Sequence, residues 1–137
     1  FTLAELLIVV AIIAVLTAIA IPVFTSQLEK SRDATSVANI RSAYAEAMTD
    51  YLTGSSAGST TAVTVTKKAI IQTAQNNNWS GEGANLPFTA PTDPGNITTK
   101  EEKDVTFTFT TNATTGETTV TCSIAGSTTT PTDPENP

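Results

Sequence analysis

The amino-acid sequence predicts an α+β fold, in which a long N-terminal α-helix packs by its C-terminal half on a small antiparallel β-sheet head. Three observations predict it. The first 24 residues are almost wholly apolar, an amphipathic stretch follows them to about Leu52, and two later segments alternate apolar with hydroxyl residues. The first two patterns are typical of helices, and strict alternation is typical of half-buried strands.

The leading apolar segment runs from Phe1 to Phe24 and reads FTLAELLIVVAIIAVLTAIAIPVF. A helix over these residues is about 30 to 35 Å long, which matches the thickness of a bilayer hydrocarbon core. Its apolar residues occupy every helical face, so the helix must be buried in lipid or in protein. The segment therefore predicts a helix that spans a membrane or lies inside an assembly.

Glu5 is the one charged residue of this segment. A charge within such a helix costs a few kcal/mol, about 2.5 to 3.5 at mid-helix and less near an end, so a partner is expected. The chain begins with Phe1, as a proteolytically trimmed chain would, and the free α-amine of Phe1 is the candidate partner. Within one helix the two groups lie about one turn apart, and in staggered neighbouring helices they would meet head to side.

The segment FTLAELLIVVAIIAVLTAIAIP resembles the mature N-terminus of type IV pilins. The residues that match the family pattern are Phe1, Thr2, Leu3, Glu5, Leu6, Leu7 and Pro22. The resemblance implies that a prepilin peptidase cleaves before Phe1, that Phe1 is N-methylated, and that Glu5 neutralises the amine of the preceding subunit during assembly, with Thr2 beside it. A signal sequence fits less well, because the segment lacks a basic n-region and a short apolar core.

Pro22 predicts a kink or local melting of the helix. It has no amide hydrogen, so the carbonyl of Ala18 loses its helical partner, and it disfavours helical geometry at Ile21. The resemblance implies that filaments lose helix between residues 14 and 22, and the family often has Gly at position 14. This chain has Ala14, which favours helix over Gly by about 1 kcal/mol and opposes melting.

The second half of the helix carries apolar residues at spacings of three and four, namely Val37, Ile40, Tyr44, Met48 and Tyr51. This spacing predicts an amphipathic helix whose stripe faces the head. The helix is expected to continue the first one and to stop near Leu52, with Gly54 in the left-handed position after its end. A helix of about 52 residues would be about 75 to 80 Å long.

The strongest β signal is a hairpin near the C-terminus, joined by Thr111 to Gly116. Its apolar positions are Val105, Phe107, Phe109, Val120, Cys122 and Ile124, which should share one face and pack against the helix stripe. Before it, Val63 and Val65 predict a short strand, and residues 66–75 predict a short helix with Ala69, Ile70 and Ala74 on one side. Residues 80–96, rich in Pro and Gly, predict an irregular surface loop.

The residue inventory disfavours an enzyme and a metal or cofactor site. The chain has no His and one Cys, so the usual nucleophile–base pairs and zinc ligand sets cannot be built, although a carboxylate pair can, and no intramolecular disulfide forms. Cys122 is therefore expected in the core, and the missing disulfide leans the resemblance toward Gram-positive or other disulfide-poor lineages. Five residues near the start of the hairpin could offer oxygen ligands to calcium, namely Asp93, Asn96, Glu101, Glu102 and Asp104. Their spacing matches no calcium-binding loop, so we expect a solvated acidic loop. The net charge of −6 disfavours nucleic-acid binding through a broad basic patch.

These observations divide the chain into a transmembrane or filament-core helix (1–24), an amphipathic second half (25–53), a β-rich head (54–126) and an extended Thr/Pro-rich tail (127–137). The resemblance implies a structural subunit that is held in the cytoplasmic membrane and polymerises, with the pilus assembly machinery, into a type IV pilus at the cell surface. The alternatives are a pseudopilin or minor pilin of a type II secretion or competence system, and a monomeric membrane-anchored binding protein.

Overall fold

A computed structural model describes residues 1–72, 79–92, 97 and 99–126 of the chain. The fold is α+β, as predicted. One long helix, α1 (Leu3–Thr53), precedes three strands, β1 (Val63–Ile71), β2 (Glu101–Thr111) and β3 (Thr118–Ile124), and a 3₁₀ segment spans Trp79–Asn85. The strands form one antiparallel sheet in the order β1-β2-β3. The predicted tail, 127–137, lies outside the described residues.

Helix α1 is a single unbroken α-helix of 51 residues. It remains helical through residues 14–22, so the isolated chain shows no local melting there, and the melting that the resemblance implies for filaments stays a prediction. Pro22 removes only one backbone hydrogen bond, and Ala14 keeps a high helix propensity where a Gly would lower it. The helix ends at Thr53, one residue beyond the expected position. Gly54 has φ −79° and ψ 161°, so its backbone is extended, and the expected left-handed conformation is wrong.

The sheet places β2 at its centre, paired with β1 on one side and β3 on the other. The predicted hairpin is confirmed, with Phe107 opposite Cys122 and Phe109 opposite Val120. Its connection is closed by Asn112, whose side-chain oxygen accepts hydrogen bonds from the amides of Thr114 and Thr115 at 2.8 and 3.1 Å. The whole of β3 pairs with the part of β2 from Val105 to Thr111.

The expected helix over residues 66–75 is wrong, because β1 continues to Ile71 and pairs with β2 over its whole length. Alternation at Val63 and Val65 persists through Lys67 and Ala69 to Ile71, and these residues face the helix side of the sheet. Strand pairing satisfies every second backbone group of the segment and buries Ala69 and Ile71. An isolated turn of helix offers neither gain. Ala74 lies outside the described residues.

The core lies between the second half of α1 and the sheet, as expected. All eleven predicted core residues belong to it: Val37, Ile40, Tyr51, Val105, Phe107, Phe109 and Ile124 are buried, and Tyr44, Met48, Val120 and Cys122 are half-buried against them. Further buried residues that the sequence patterns did not place in the core complete it, namely Ala43, Ala47, Ala69, Ile71, Trp79, Leu86 and Ile97. The small Ala43 and Ala47 allow the helix backbone to approach the sheet closely.

The segment that begins at Trp79 is not a pure surface loop, which corrects the expectation for residues 80–92; residues 93–96 lie outside the described part of the chain. Trp79 is buried, and its indole nitrogen donates a hydrogen bond to the carbonyl of Pro91 at 2.9 Å. Gly83 packs so closely that an added Cβ would lie 2.8 Å from the Cβ of Ala90. The segment therefore closes one end of the core.

Helix α1 runs antiparallel to β1. Near the start of the head, the amide of Gln72 donates to the Ser36 hydroxyl at 2.9 Å, and the Asn39 side chain donates to the carbonyl of Ile70 at 2.8 Å. Farther along the helix, Asp50 pairs with Lys67 at 2.5 Å. Because the strands alternate in direction, α1 is also antiparallel to β3.

Candidate functional site: the N-terminal turn and the apolar shaft

The first part of α1, Leu3–Phe24, is called here the apolar shaft, and it makes no buried contact with the described part of the chain. Its large hydrophobic side chains are all exposed, Val9 least at 44 %. By its length and composition, helix α1 is long and apolar enough to cross a membrane. An apolar surface of this size in water is unstable, so lipid or other protein must cover it.

The shaft begins with a capping box formed by Thr2 and Glu5. The Thr2 hydroxyl accepts a hydrogen bond from the amide of Glu5 at 3.2 Å, and a Glu5 carboxylate oxygen accepts one from the amide of Thr2 at 2.9 Å. This reciprocal pair satisfies two amides that a helix start otherwise leaves unpaired. The predicted assembly residues Thr2 and Glu5 are therefore in direct contact.

Phe1 projects beyond this turn and is fully exposed. Within the described residues no ion pair joins its α-amine to Glu5, because the carboxylate is turned toward the amide of Thr2. The hydrogen bond to Thr2 uses one carboxylate oxygen, Oε2. The second oxygen makes no hydrogen bond to a described residue and is accessible from outside the helix.

The hydroxyl residues of the shaft do not disturb its apolar character. Thr17 donates to the carbonyls of Ile13 and Ala14 at 2.9 and 3.0 Å, and Thr25, just beyond the shaft, donates to the carbonyl of Ile21 at 3.0 Å. Each hydroxyl is thus satisfied by its own helix, which an apolar environment requires. A shallow groove of about 300 Å³ on the shaft is lined by Ala11, Ile12, Val15 and Leu16. Ala11 is the small residue of this lining, and a small residue permits a second helix to approach closely.

Two buried acidic residues, Glu29 and Asp33, mark the place where α1 enters the head. The Ser80 hydroxyl donates to Asp33 Oδ2 at 2.5 Å, which ties the loop after the 3₁₀ start to the helix. The sequence patterns did not predict the burial of either residue. Their spacing of four from each other and from Val37 was the available signal, since it places all three on one helix face.

Cys122 occupies the half-buried position that its place in the hairpin predicted. Burial raises the pKa of its thiol to about 12. Since the thiolate is the nucleophile, a thiol with this pKa is a poor nucleophile at neutral pH.

The acidic residues near the start of β2 form ion pairs with lysines. Lys68 Nζ lies 2.9 Å from Asp104 and 3.7 Å from Glu102, and Lys103 Nζ lies 2.7 Å from Glu101. The Lys103 ammonium, by its hydrogen bond and its charge, lowers the pKa of Glu101. Asp93 and Asn96 lie outside the described residues, and among those described no group of three or more His, Cys, Asp or Glu is arranged to hold a metal ion.

Comparisons of the chain with protein-family models, with curated proteins and with solved structures gave no match. The candidate site therefore consists of what the chain itself presents. A capped helix start with a carboxylate is followed by an apolar surface that the head leaves uncovered, and the head core lies at the opposite end of the same helix, with Pro22 between them.

Proposed function

We propose that this chain is a type IV pilin, a structural subunit that polymerises into a surface filament by bundling its apolar shaft with those of identical subunits. One observation carries the proposal: a single helix presents a fully exposed apolar surface at one end while the head covers the other end. A homopolymer gives every copy of that surface the same cover.

Glu5 distinguishes this proposal from a plain membrane anchor. A lone carboxylate near the helix start weakens insertion into lipid, whereas in a bundle it can face a positive charge from a neighbouring copy. In the proposal, cleavage before Phe1 exposes an α-amine, and this amine meets the open Glu5 oxygen of an adjacent subunit. The capping box supports this role, since it holds the carboxylate at the first turn.

Assembly then moves the shaft from the cytoplasmic membrane into the filament. Both surroundings are apolar, so the hydrophobic effect does not decide the direction, and close helix packing and the pairing of Glu5 must do so. Charge pairing also sets the stagger between neighbours, because only one axial offset brings the two groups together. The head remains outside the membrane, where it forms the filament surface.

The test compares three variants in the producing cells. Glu5→Ala removes the charge and the cap, Glu5→Gln removes the charge but keeps a side-chain carbonyl that can accept from Thr2, and Thr2→Val removes the hydroxyl but keeps the charge. We expect Glu5→Ala and Glu5→Gln to insert into the membrane and to form no filaments. Thr2→Val should retain filaments, because loss of a cap costs only about 1 kcal/mol.

Electron microscopy of cell surfaces and quantification of the chain in the membrane fraction give the result. Normal filaments in Glu5→Gln would contradict the charge-pairing role. Absence of surface filaments in cells that carry the unmodified chain in their membranes would contradict the filament subunit and favour the secretion or competence alternative.

A further inference from the structure

The charged residues where α1 enters the head are separated by helix face. Glu29 and Asp33 are buried against the head, at 7 % and 1 % exposure, whereas Lys30 is exposed and Arg32 is half-buried. At about 100° of rotation per residue, the two cations lie on either side of the buried acidic face. Within the described part of the chain, no ion pair includes the Lys30 ammonium or the Arg32 guanidinium. Both cations are therefore available to an anion outside the chain.

The distance of these two cations from the apolar shaft indicates which anion they reach. The shaft is about 33 Å long, close to the 30 Å or so of a bilayer hydrocarbon core, so a spanning shaft places Phe24 at the hydrocarbon edge. The polar headgroup layer adds about 5 to 8 Å on each side of that core. Lys30 and Arg32 follow Phe24 by six and eight residues, which is about 9 and 12 Å along the helix axis.

The direction of helical side chains brings the two charges closer to the membrane. Long side chains on an α-helix point back toward its N-terminus, which in α1 is toward the shaft. The lysine and arginine side chains therefore carry their charges back into the headgroup layer, as they do at the ends of membrane-spanning helices. The residues between Phe24 and Leu28 are polar and uncharged, so no other charge lies at this level of the helix.

The acidic residues of the described part of the chain do not cancel this positive charge. The next exposed acidic residue of α1 is Glu46, sixteen residues beyond Lys30 and about 24 Å farther from the shaft. The acidic residues at the start of β2 are paired with lysines. Because the whole chain has a net charge of −6, an anionic surface repels it in general and attracts it only through a local positive site.

We propose that Lys30 and Arg32 bind the phosphate groups of anionic phospholipids in the leaflet next to the head, while the shaft spans the membrane before assembly. This inference rests on the membrane stage of the proposed function. An anionic lipid such as phosphatidylglycerol carries a net negative charge at the required depth, whereas phosphatidylcholine is neutral overall. Arg32 bonds a phosphate through two N–H groups, and Lys30 acts as a point charge. The two contacts fix the depth of the shaft and hold the head at the membrane surface.

The first test measures the lipid selectivity of the full chain in phosphatidylcholine bilayers. Spin-labelled phosphatidylglycerol and spin-labelled phosphatidylcholine compete for positions around the protein, and EPR spectra give the ratio of their association constants. We expect a ratio of about 2, because two sites that each favour the anionic lipid about fivefold are averaged with the other lipids around one helix. The ratio should fall toward 1 in Lys30→Gln/Arg32→Gln. It should also fall on raising salt from 0.1 to 1 M, since the Debye length shrinks from about 10 to about 3 Å.

The matched control removes two positive charges far from the membrane. Lys67→Gln/Lys68→Gln changes the net charge by the same amount, and Lys67 contacts Asp50, about 39 Å along the helix axis from Phe24. This control should keep the parent ratio. A ratio near 1 in the parent, retention of selectivity in Lys30→Gln/Arg32→Gln, or an equal loss in the control overturns the proposal. Retained selectivity together with fewer filaments would assign Lys30 and Arg32 to a contact between subunits, which also overturns it.

The second test measures the depth of this part of the helix without changing either cation. Ser31→Cys and Thr49→Cys are made separately in the Cys122→Ala background and spin-labelled, and both positions are exposed. We expect the label at residue 31 to lie at the level of the lipid phosphates, with at least threefold lower accessibility to a water-soluble nickel chelate than the label at residue 49. Equal accessibility of the two labels places residue 31 in bulk water and overturns the proposal.

Failure of this inference and failure of the filament proposal give different results. Both tests are made in the Glu5→Ala variant, which in the proposed function inserts into the membrane and forms no filaments. A chain that inserts into bilayers and shows no lipid selectivity contradicts only the lipid contact. Absence of filaments in cells that carry the unmodified chain contradicts the filament subunit and leaves the lipid ratio unchanged. A chain that alkaline extraction removes from bilayers contradicts the membrane stage and, with it, the lipid contact.

Discussion

The two halves of α1 have the same secondary structure and opposite surroundings. In the apolar shaft every large side chain is exposed, whereas in the half from Glu29 to Tyr51 one face is buried against the sheet. Helical geometry alone therefore says nothing about what stabilises each half. The head half is stabilised by contacts within the chain, and the shaft must be stabilised from outside.

Residue size sharpens the contrast. Within the head the helix contacts the sheet through alternating large and small residues, with Ile40 fully buried beside Ala43 and Ala47. The shaft shows the same mixture around its shallow groove, where Ala11 lies beside Ile12 and Leu16. In the first case the structure shows which surface fills the spaces, and in the second the proposed filament supplies it.

Ile40→Ala and Ile12→Ala form the matched pair that tests this comparison with the largest expected effect. Ile40→Ala should lower the free energy of unfolding of the head by about 2 to 5 kcal/mol, because it leaves a cavity in a closed core. Ile12→Ala should change it by less than about 0.5 kcal/mol, since Ile12 touches nothing in the head. Denaturant unfolding monitored by Trp79 fluorescence measures both.

The variant Ile12→Ala is also tested for its effect on filament assembly. Ile12→Ala should reduce the yield of filaments although the head is intact. A loss of head stability in Ile12→Ala equal to that in Ile40→Ala would show that the shaft is folded back on the head, and the comparison would fail.

Tyr51→Phe tests the C-terminal end of the buried half with a smaller expected effect. The Tyr51 hydroxyl accepts a hydrogen bond from the amide of Gly58 at 2.8 Å and lies 3.3 Å from the Thr111 hydroxyl, while its ring stacks on Phe109 at 4.4 Å. Removing the hydroxyl should cost about 1 to 2 kcal/mol, because the amide of Gly58 loses its partner. The measurement is the urea midpoint at constant m-value.

Tyr44→Phe is the control for this variant. The Tyr44 ring packs on Phe88 at 4.9 Å, but its hydroxyl makes no hydrogen bond to the described residues. Its midpoint should stay within about 0.5 kcal/mol of the parent. Equal losses in both variants would mean that ring packing, and not the hydroxyl, explains the effect at Tyr51.

The thiol of Cys122 provides the mildest test, because it perturbs nothing. Burial raises its pKa from 9.0 to about 12, so the folded state binds a proton that the unfolded state releases above pH 9. Stability linked to this group is therefore present below pH 9 and is lost as pH rises from 9 toward 12. At pH 8 we expect a maleimide to label the folded chain at least tenfold more slowly than the chain in denaturant.

A cysteine at an exposed position of α1 is the control for the labelling rate of Cys122. Ser26→Cys in a Cys122→Ala background places a thiol at an exposed position of α1. It should react at similar rates in the folded and denatured chain. Fast labelling of Cys122 in the folded chain would contradict its burial between sheet and helix.

Several elements were predictable because their signals are local. The spacing of Val37 and Ile40 predicted the helix face that is buried, and the alternation around Phe107 and Cys122 predicted the hairpin and the face of its core residues. Both periodicities follow from backbone geometry, 3.6 residues per helical turn and two per strand repeat, so they can be recognised in the sequence without knowledge of the fold.

The errors fall where distant parts of the chain decide the outcome. Residues 66–71 have mixed propensity, and their pairing with β2, thirty or more residues later, makes them strand. Trp79 stands beside polar residues in the sequence, yet it is buried because Pro91 and the helix close over it. No sequence pattern predicted the burial of Glu29 and Asp33, and Ser80, far along the chain, donates a hydrogen bond to Asp33.

By itself, the sequence determined that a long apolar helix with a carboxylate in its first turn leads into a small head with a β-hairpin, because composition and periodicity are written along the chain. Only the tertiary structure decided which surfaces are covered. It showed a helix continuous through Pro22, a third strand at residues 63–71, and a helix whose buried face begins at Glu29. Coverage depends on contacts between residues far apart in sequence, and no local pattern encodes those contacts.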